Sequence, residues 1–151
     1  MITYEDLPPG TILEMGPKTV TKDDIVRFAK RYDPMPFHLD ETAARESIFG
    51  EICASGWHVA GMCMRMIVDG FLSKADSRGG AGIDELRWLK PVFPGDELRV
   101  KCTVLGARIS QSRPDMGLIN FSWELFDQND TLKMKMRSTG LVGLRGKAPA
   151  Q

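Results

Sequence analysis

The sequence predicts an α+β domain in which an antiparallel sheet wraps around one long buried helix. Residues 57–72 are the longest helix candidate and are apolar over most of the helix circumference, so this helix needs a surrounding layer. From Gly82 onward, stretches that alternate apolar and polar residues are separated by turn-like segments, as in antiparallel strands. A chain of 151 residues fits one domain better than two, so residues 1–151 are expected to form a single domain.

The first third of the chain predicts one short strand and two helices. TILEMG can form the strand, and the hydroxyl group of Thr21, three residues before Asp24, predicts the N-cap of the first helix. That helix must end at Tyr32 or Asp33, because Pro34 pushes the residue before it out of the α region. Residues 40–47 then predict a second, short helix.

The second half of the chain predicts four long strands, at residues 83–92, 96–110, 118–127 and 131–143. The lysines in TLKMKMRS favour a last strand with one solvated face or a charge-protected edge. Residues 79–82 (GGAG) lead into a strand and not a helix, which predicts a flexible connector, and residues 143–151 are expected to be a flexible tail.

Composition gives no support for a nucleic-acid or membrane partner, or for a disulfide framework. Twenty basic residues balance twenty acidic ones, so net charge does not favour nucleic acid or a membrane surface as a partner. The N-terminal MITYEDLPPG lacks the pattern of a signal peptide, and we expect a cytoplasmic protein. The three cysteines, at positions 53, 63 and 102, are expected to be reduced core thiols and not a disulfide or metal site.

The loop RYDPMPFH carries the first candidate site residues. Pro34 and Pro36 stiffen the backbone between Asp33 and His38, so the carboxylate and the imidazole can converge on one water molecule. Such a pair could add water to an activated double bond or remove it. The alternative is an ordinary turn with a histidine at the surface or in the core.

A second feature stands before the long helix, at Ala54-Ser55-Gly56. The amide of Gly56 lies at the predicted helix N-terminus, where backbone N–H groups are unpaired and the helix dipole favours negative charge. This amide could form an oxyanion hole for a thioester carbonyl.

These residues resemble a known family. Asp33, Pro36 and His38 fit D-x-x-P-x-H, and GIDELRWLKPVFPGDELRV follows the long helix. With these motifs, nearly the whole chain resembles the MaoC-like dehydratases, the (R)-specific enoyl-CoA hydratase group of hot dog folds. The family loop usually reads Gly-Asp-x-Asn-Pro-x-His, whereas this chain has Tyr32 and Met35, and Ser55 stands where the family often has histidine.

The resemblance implies a hot dog domain that reversibly adds water to a trans-2-enoyl thioester and gives a 3-hydroxyacyl thioester. Asp33 and His38 would activate the water, and the Gly56 amide would bind the thioester oxygen. Ser55, Trp57 and His58 are candidates for substrate binding, although for His58 we favour a hydrogen-bonded core position.

The same resemblance implies the partners. The acyl group would be carried by coenzyme A or an acyl carrier protein, with no metal and no other cofactor. The protein would be a homodimer or a dimer of dimers with the acyl pocket at the subunit interface. Two other functions stay open: an acyl-CoA thioesterase, and a non-catalytic module that binds acyl thioesters. No carboxylate lies in the first turn of the long helix, which disfavours the thioesterase.

Overall fold

The computed structural model describes residues 1–149, and its framework is one sheet of five antiparallel strands. The order across the sheet is β1-β3-β4-β5-β2. The strands are β1 (Ile12–Thr19), β2 (Ser77–Trp88), β3 (Glu97–Ile109), β4 (Met116–Phe126) and β5 (Leu132–Gly143). The four predicted long strands are confirmed, and the short N-terminal strand joins the same sheet by pairing with β3.

Three α-helices precede the long strands. They are α1 (Lys22–Tyr32), α2 (Glu41–Arg45) and α3 (Gly56–Gly70). The predicted N-cap of α1 is confirmed, because the side chain of Thr21 accepts a hydrogen bond from the backbone N–H of Asp24. No helix within residues 1–149 has the length and apolarity needed to cross a membrane.

Helix α3 is the centre of the hydrophobic core. Its buried side chains form one cluster with alternate residues of β3 and β4, so the sheet wraps around this helix as expected. Phe71, just after the helix, lies 5.7 Å from Phe121 of β4, measured between ring centroids. The helix begins one residue earlier and ends two residues earlier than the predicted range 57–72.

The glycine-rich residues 79–82 were expected to be a flexible connector, and this prediction is wrong. They belong to β2, which begins at Ser77 and pairs with β5 through register shifts beside these glycines. Gly79 and Gly82 have φ values of +116° and +155°, a backbone region that favours glycine. The glycines therefore allow irregular pairing and do not break the strand.

The lysines of β5 meet expectation only in part. The predicted edge position is wrong, because β5 lies inside the sheet, and Lys133 is buried, whereas Lys135 is exposed as expected for a solvated face. The predicted tail from residue 143 is attached to the domain at its start, since Leu144 donates its N–H to Asp115 and the Arg145 N–H bonds to Glu5. Residues 150–151 of that tail lie outside the described residues.

Candidate active site

The acid–base loop begins where α1 stops. Asp33 is the C-cap of α1, and its N–H donates to the carbonyl of Ala29 over 2.9 Å. Because Pro34 prevents the helix from continuing, the chain turns into a one-turn 3-10 helix, Pro36–His38. The His38 N–H donates to the Met35 carbonyl over 3.0 Å, which fixes the position of the histidine relative to the aspartate.

Asp33 and His38 converge as the sequence predicts. Nε2 of His38 lies 3.4 Å from Oδ2 of Asp33, and their side chains are 7% and 28% exposed, respectively. The imidazole is therefore almost enclosed, while the carboxylate still reaches open space.

The other nitrogen of His38 determines where its proton lies. Nδ1 lies 2.6 Å from the carbonyl oxygen of Cys53, which can only accept a hydrogen bond, so Nδ1 carries the hydrogen. In the neutral imidazole, Nε2 is then an unprotonated acceptor that faces a carboxylate oxygen. Two acceptors at this spacing can share one water molecule, with each accepting one of its hydrogens.

Ser55 supports the carboxylate at the same oxygen atom that His38 approaches. Its side chain is fully buried, and Oγ donates to Oδ2 of Asp33 over 2.6 Å. Although Ser55 occupies the N-cap position of α3, its side chain makes no capping hydrogen bond. The first backbone N–H groups of α3, including that of Gly56, are therefore not capped by this hydroxyl group.

Gly56 begins α3, and a side chain at this position would collide with Trp88, a contact that the sequence does not reveal. A Cβ atom at this position would lie 2.6 Å from Cε2 of Trp88, so the indole of Trp88 packs directly over the glycine. Trp88 also forms an edge-to-face pair with Trp57, with ring centroids 5.1 Å apart. The predicted oxyanion amide is thus flanked by two indole rings.

These groups surround a cavity of about 380 Å³. The acid–base pair and Gly56 line it, together with residues 89–92 and four aromatic side chains, Phe37, Phe49, Trp57 and Trp88. Trp57 and Trp88 are 64% and 45% exposed, which places the mouth of the cavity beside the start of α3. The site combines a polar acid–base pair with apolar walls, as ligand pockets commonly do.

The three predicted substrate-binding residues separate in the structure. Trp57 lines the cavity, whereas Ser55 and His58 do not. His58 instead stacks on Phe28 of α1, with ring centroids 4.8 Å apart. The residue is half-buried against α1, and its Nδ1 atom is buried without a hydrogen-bond partner within residues 1–149, so the hydrogen bond expected for a core histidine is absent at that atom.

All three cysteines are buried and free, as predicted. Burial, with a further contribution from Asp33, raises the pKa of the Cys53 thiol to about 11. Burial raises the pKa values of Cys63 and Cys102 to about 12. Within residues 1–149, no group of three or more histidine, cysteine, aspartate or glutamate side chains is arranged to hold a metal ion.

Sequence reasoning missed the wall of the cavity that residues 88–92 form. Trp88 and residues 89–92 were treated only as the end of a strand, but the strand stops at Trp88 and the following four residues line the cavity. The two prolines Pro91 and Pro94 were the available signal, because prolines in this spacing end a strand.

Comparison with known proteins gives consistent matches. The family described as MaoC like domain matches residues 6–118. A MaoC-like dehydratase from Rhodospirillum rubrum is 38% identical, with a TM-score of 0.90, and the match covers 99% of this chain and 100% of that protein.

Two more distant structures share the fold alone. The R-hydratase PhaJ1 from Pseudomonas aeruginosa has a TM-score of 0.75 at 22% identity, covering 99% of this chain and 90% of that one. A Mycobacterium tuberculosis protein with a double hotdog fold has a TM-score of 0.83 at 15% identity, covering 99% of this chain and 46% of that one. The sheet wrapped around α3 is thus the hot dog fold.

Proposed function

This chain belongs to the MaoC-like domain family, and on that premise we propose that it is a hydro-lyase that reversibly adds water to a trans-2-enoyl thioester. The product would be a 3-hydroxyacyl thioester, and coenzyme A is the proposed carrier of the acyl group. The observation that carries the proposal is the 3.4 Å approach of His38 Nε2 to Asp33 Oδ2 in the wall of the cavity.

In the proposed reaction, one water molecule lies between the two side chains. Nε2 of His38 takes a proton from it as its oxygen attacks the β-carbon, and Oδ2 of Asp33 accepts the other hydrogen and holds the water in place. The imidazolium then returns the proton to the α-carbon, so that the hydroxyl group and the hydrogen add to the same face. The reverse sequence removes water.

Negative charge develops on the thioester oxygen when water attacks. The Gly56 N–H, at the positive end of the α3 dipole, would donate to this oxygen and stabilise the enolate. Hydration transfers no electrons and therefore needs no redox cofactor. We propose that the acid–base pair and the Gly56 amide act without a metal, and that coenzyme A takes part only as a portion of the substrate.

We propose that the protein is a homodimer or a dimer of dimers. The exposed side of α3 carries Trp57, Met64 and Val68, and edge strand β2 exposes Ile83. Exposed apolar side chains grouped on one face of a helix are typical of protein interfaces. Sedimentation analysis of the purified protein measures the oligomeric state, and a monomer at micromolar concentration contradicts this part of the proposal.

One assay tests the reaction. The protein is incubated with crotonyl-CoA and longer enoyl-CoAs while the absorbance of the conjugated thioester and the release of free thiol are followed together. We expect absorbance to fall without thiol release, and Asp33→Asn and His38→Ala proteins that remain folded to lose this activity. Thiol release would instead indicate the thioesterase, and binding without turnover would indicate the non-catalytic module.

A further inference from the structure

Lys133, near the start of β5, is a buried cation that the proposed reaction does not use. Its side chain is 8% exposed, and Nζ lies 3.4 Å from Oδ2 of Asp127 and 3.6 Å from Oδ2 of Asp96. Nζ also donates a hydrogen bond of 2.9 Å to the carbonyl of Pro91. Burying an ammonium group costs desolvation free energy even when the group is paired, so we ask what function this lysine serves.

Lys133 holds the cavity wall through its main chain as well as its side chain. Its carbonyl accepts hydrogen bonds from the N–H groups of Leu89 and Lys90, over 2.8 and 3.2 Å. Together with the bond to Pro91, these contacts connect one residue to three consecutive members of the wall segment 89–92. The wall therefore depends on where Lys133 is placed.

The wall is connected to the catalytic histidine by a single peptide group. The carbonyl of Val92 accepts a hydrogen bond of 2.8 Å from the N–H of Ala54. In the same peptide unit, the carbonyl of Cys53 accepts the 2.6 Å hydrogen bond from Nδ1 of His38. Because a peptide unit is planar, Val92 sets the direction of the carbonyl that His38 binds. The bond at one end also polarises the acceptor at the other.

We propose that Lys133 is a positioning residue for His38. It anchors the wall segment 89–92, the wall orients the Cys53–Ala54 peptide, and that peptide keeps the hydrogen of His38 on Nδ1 so that Nε2 is free to act as the base. The effect on rate rests on the proposed function, but the hydrogen bond from His38 to Cys53 can be observed without any substrate.

Two variants weaken the attachment of the wall segment 89–92 to Lys133 in different ways. Lys133→Met keeps most of the side-chain length and removes the ammonium group. Asp127→Asn is milder: Oδ1 of Asp127 accepts from the N–H groups of Asn129 and Thr131, which an asparagine oxygen can also do, while the atom facing Lys133 becomes an amide nitrogen.

Arg78→Met is the matched control. Arg78 is another largely enclosed cation, with an 11% exposed side chain that pairs with Asp76 and Asp115 and donates to the Lys147 carbonyl. It does not line the active-site cavity. Its loss removes a comparable buried ion-pair network without touching residues 89–92.

The experiment compares the imidazole N–H resonance of His38 in proton–nitrogen NMR spectra, assigned by its absence in His38→Gln. We expect this resonance to broaden or vanish in folded Lys133→Met and, to a smaller extent, in Asp127→Asn, and to persist in Arg78→Met. With enoyl-CoA, kcat should fall about tenfold in Lys133→Met with a smaller change in KM.

The inference is overturned if the resonance persists in both wall variants, or if it is lost equally in Arg78→Met. Should Lys133→Met fail to fold, Asp127→Asn decides the question alone. If the unaltered protein hydrates no enoyl-CoA, the proposed function fails, and the NMR comparison still decides whether Lys133 positions His38.

Discussion

The hydroxyl group of Ser55 donates to Oδ2 of Asp33 over 2.6 Å, and the same oxygen atom lies 3.4 Å from Nε2 of His38. One carboxylate oxygen is therefore held by a buried neutral donor while it faces the proposed base. The serine limits the positions that this carboxylate can take, although it does not line the cavity itself.

Replacing Ser55 with alanine should lower kcat and leave KM nearly unchanged. A hydrogen bond to a charged group contributes about 1.5–3 kcal/mol, so a loss of about ten- to a hundredfold in kcat is expected. Steady-state kinetics on crotonyl-CoA measures this. Ser138→Ala, which removes a hydroxyl group bonded to Trp123, is the control. An unchanged kcat in Ser55→Ala would show that the serine does not hold Asp33 in its active position.

Gly56→Ala should destabilise the protein because its Cβ atom would lie 2.6 Å from Trp88. Overpacking of this kind costs about 1–3 kcal/mol. If the indole is the cause, Trp88→Ala should remove part of this cost, and the double variant should be about 1 kcal/mol more stable than the sum of the single changes predicts. Urea unfolding of all four proteins measures the coupling, and simple additivity would rule out the clash as the cause.

His58→Phe should stabilise the protein by about 1 kcal/mol, since it removes a buried nitrogen atom without a partner and keeps a ring against Phe28. Burial lowers the pKa of His58, although Asp24 opposes the effect. The unfolded chain therefore binds the extra proton first, and stability decreases as the pH falls below about 6.5.

That acid-side loss should be smaller in the phenylalanine variant than in the unaltered protein. Free energies of unfolding at pH 5.5 and 7.5 measure it. An equal pH dependence in the two proteins would mean that His58 does not contribute to it.

The three cysteines should be unreactive in the folded protein. With pKa values of about 11 to 12, their thiols are protonated at pH 8, and all three are buried. Ellman's reagent should detect almost no thiol before denaturation and three thiols per chain after it. A rapid reaction of one thiol in the native protein would contradict the burial of that cysteine.

Local signals in the sequence predicted the acid–base loop well. Pro34 and Pro36 determine the backbone around Asp33 and His38 directly, so the convergence of the two side chains followed from nearby residues alone. The start of α3 at Gly56 was predicted to within one residue, because the apolar run that follows this glycine is also a local signal.

Features that depend on distant partners were not predictable. The burial of Lys133 depends on Asp127, across the turn between β4 and β5, and on Asp96, which precedes β3, and a lysine in an alternating strand is usually solvated. The role of Trp88 depends on its packing over Gly56, which requires the strand and the helix to be in place first. The pairing of the glycines in β2 likewise depends on β5.

The peptide group between Cys53 and Ala54 makes the site tolerant to some mutations and sensitive to others. The bonds to His38 and Val92 use only main-chain atoms, so neither depends on the chemistry of the side chains at positions 53 and 54; because both side chains are buried, only small replacements fit there. A proline at position 54 is the exception, because it has no N–H to give to Val92. The group that decides which nitrogen of His38 bears the hydrogen is thus a main-chain carbonyl, so redesign of this site should preserve the backbone geometry at positions 53 and 54 before residue identity.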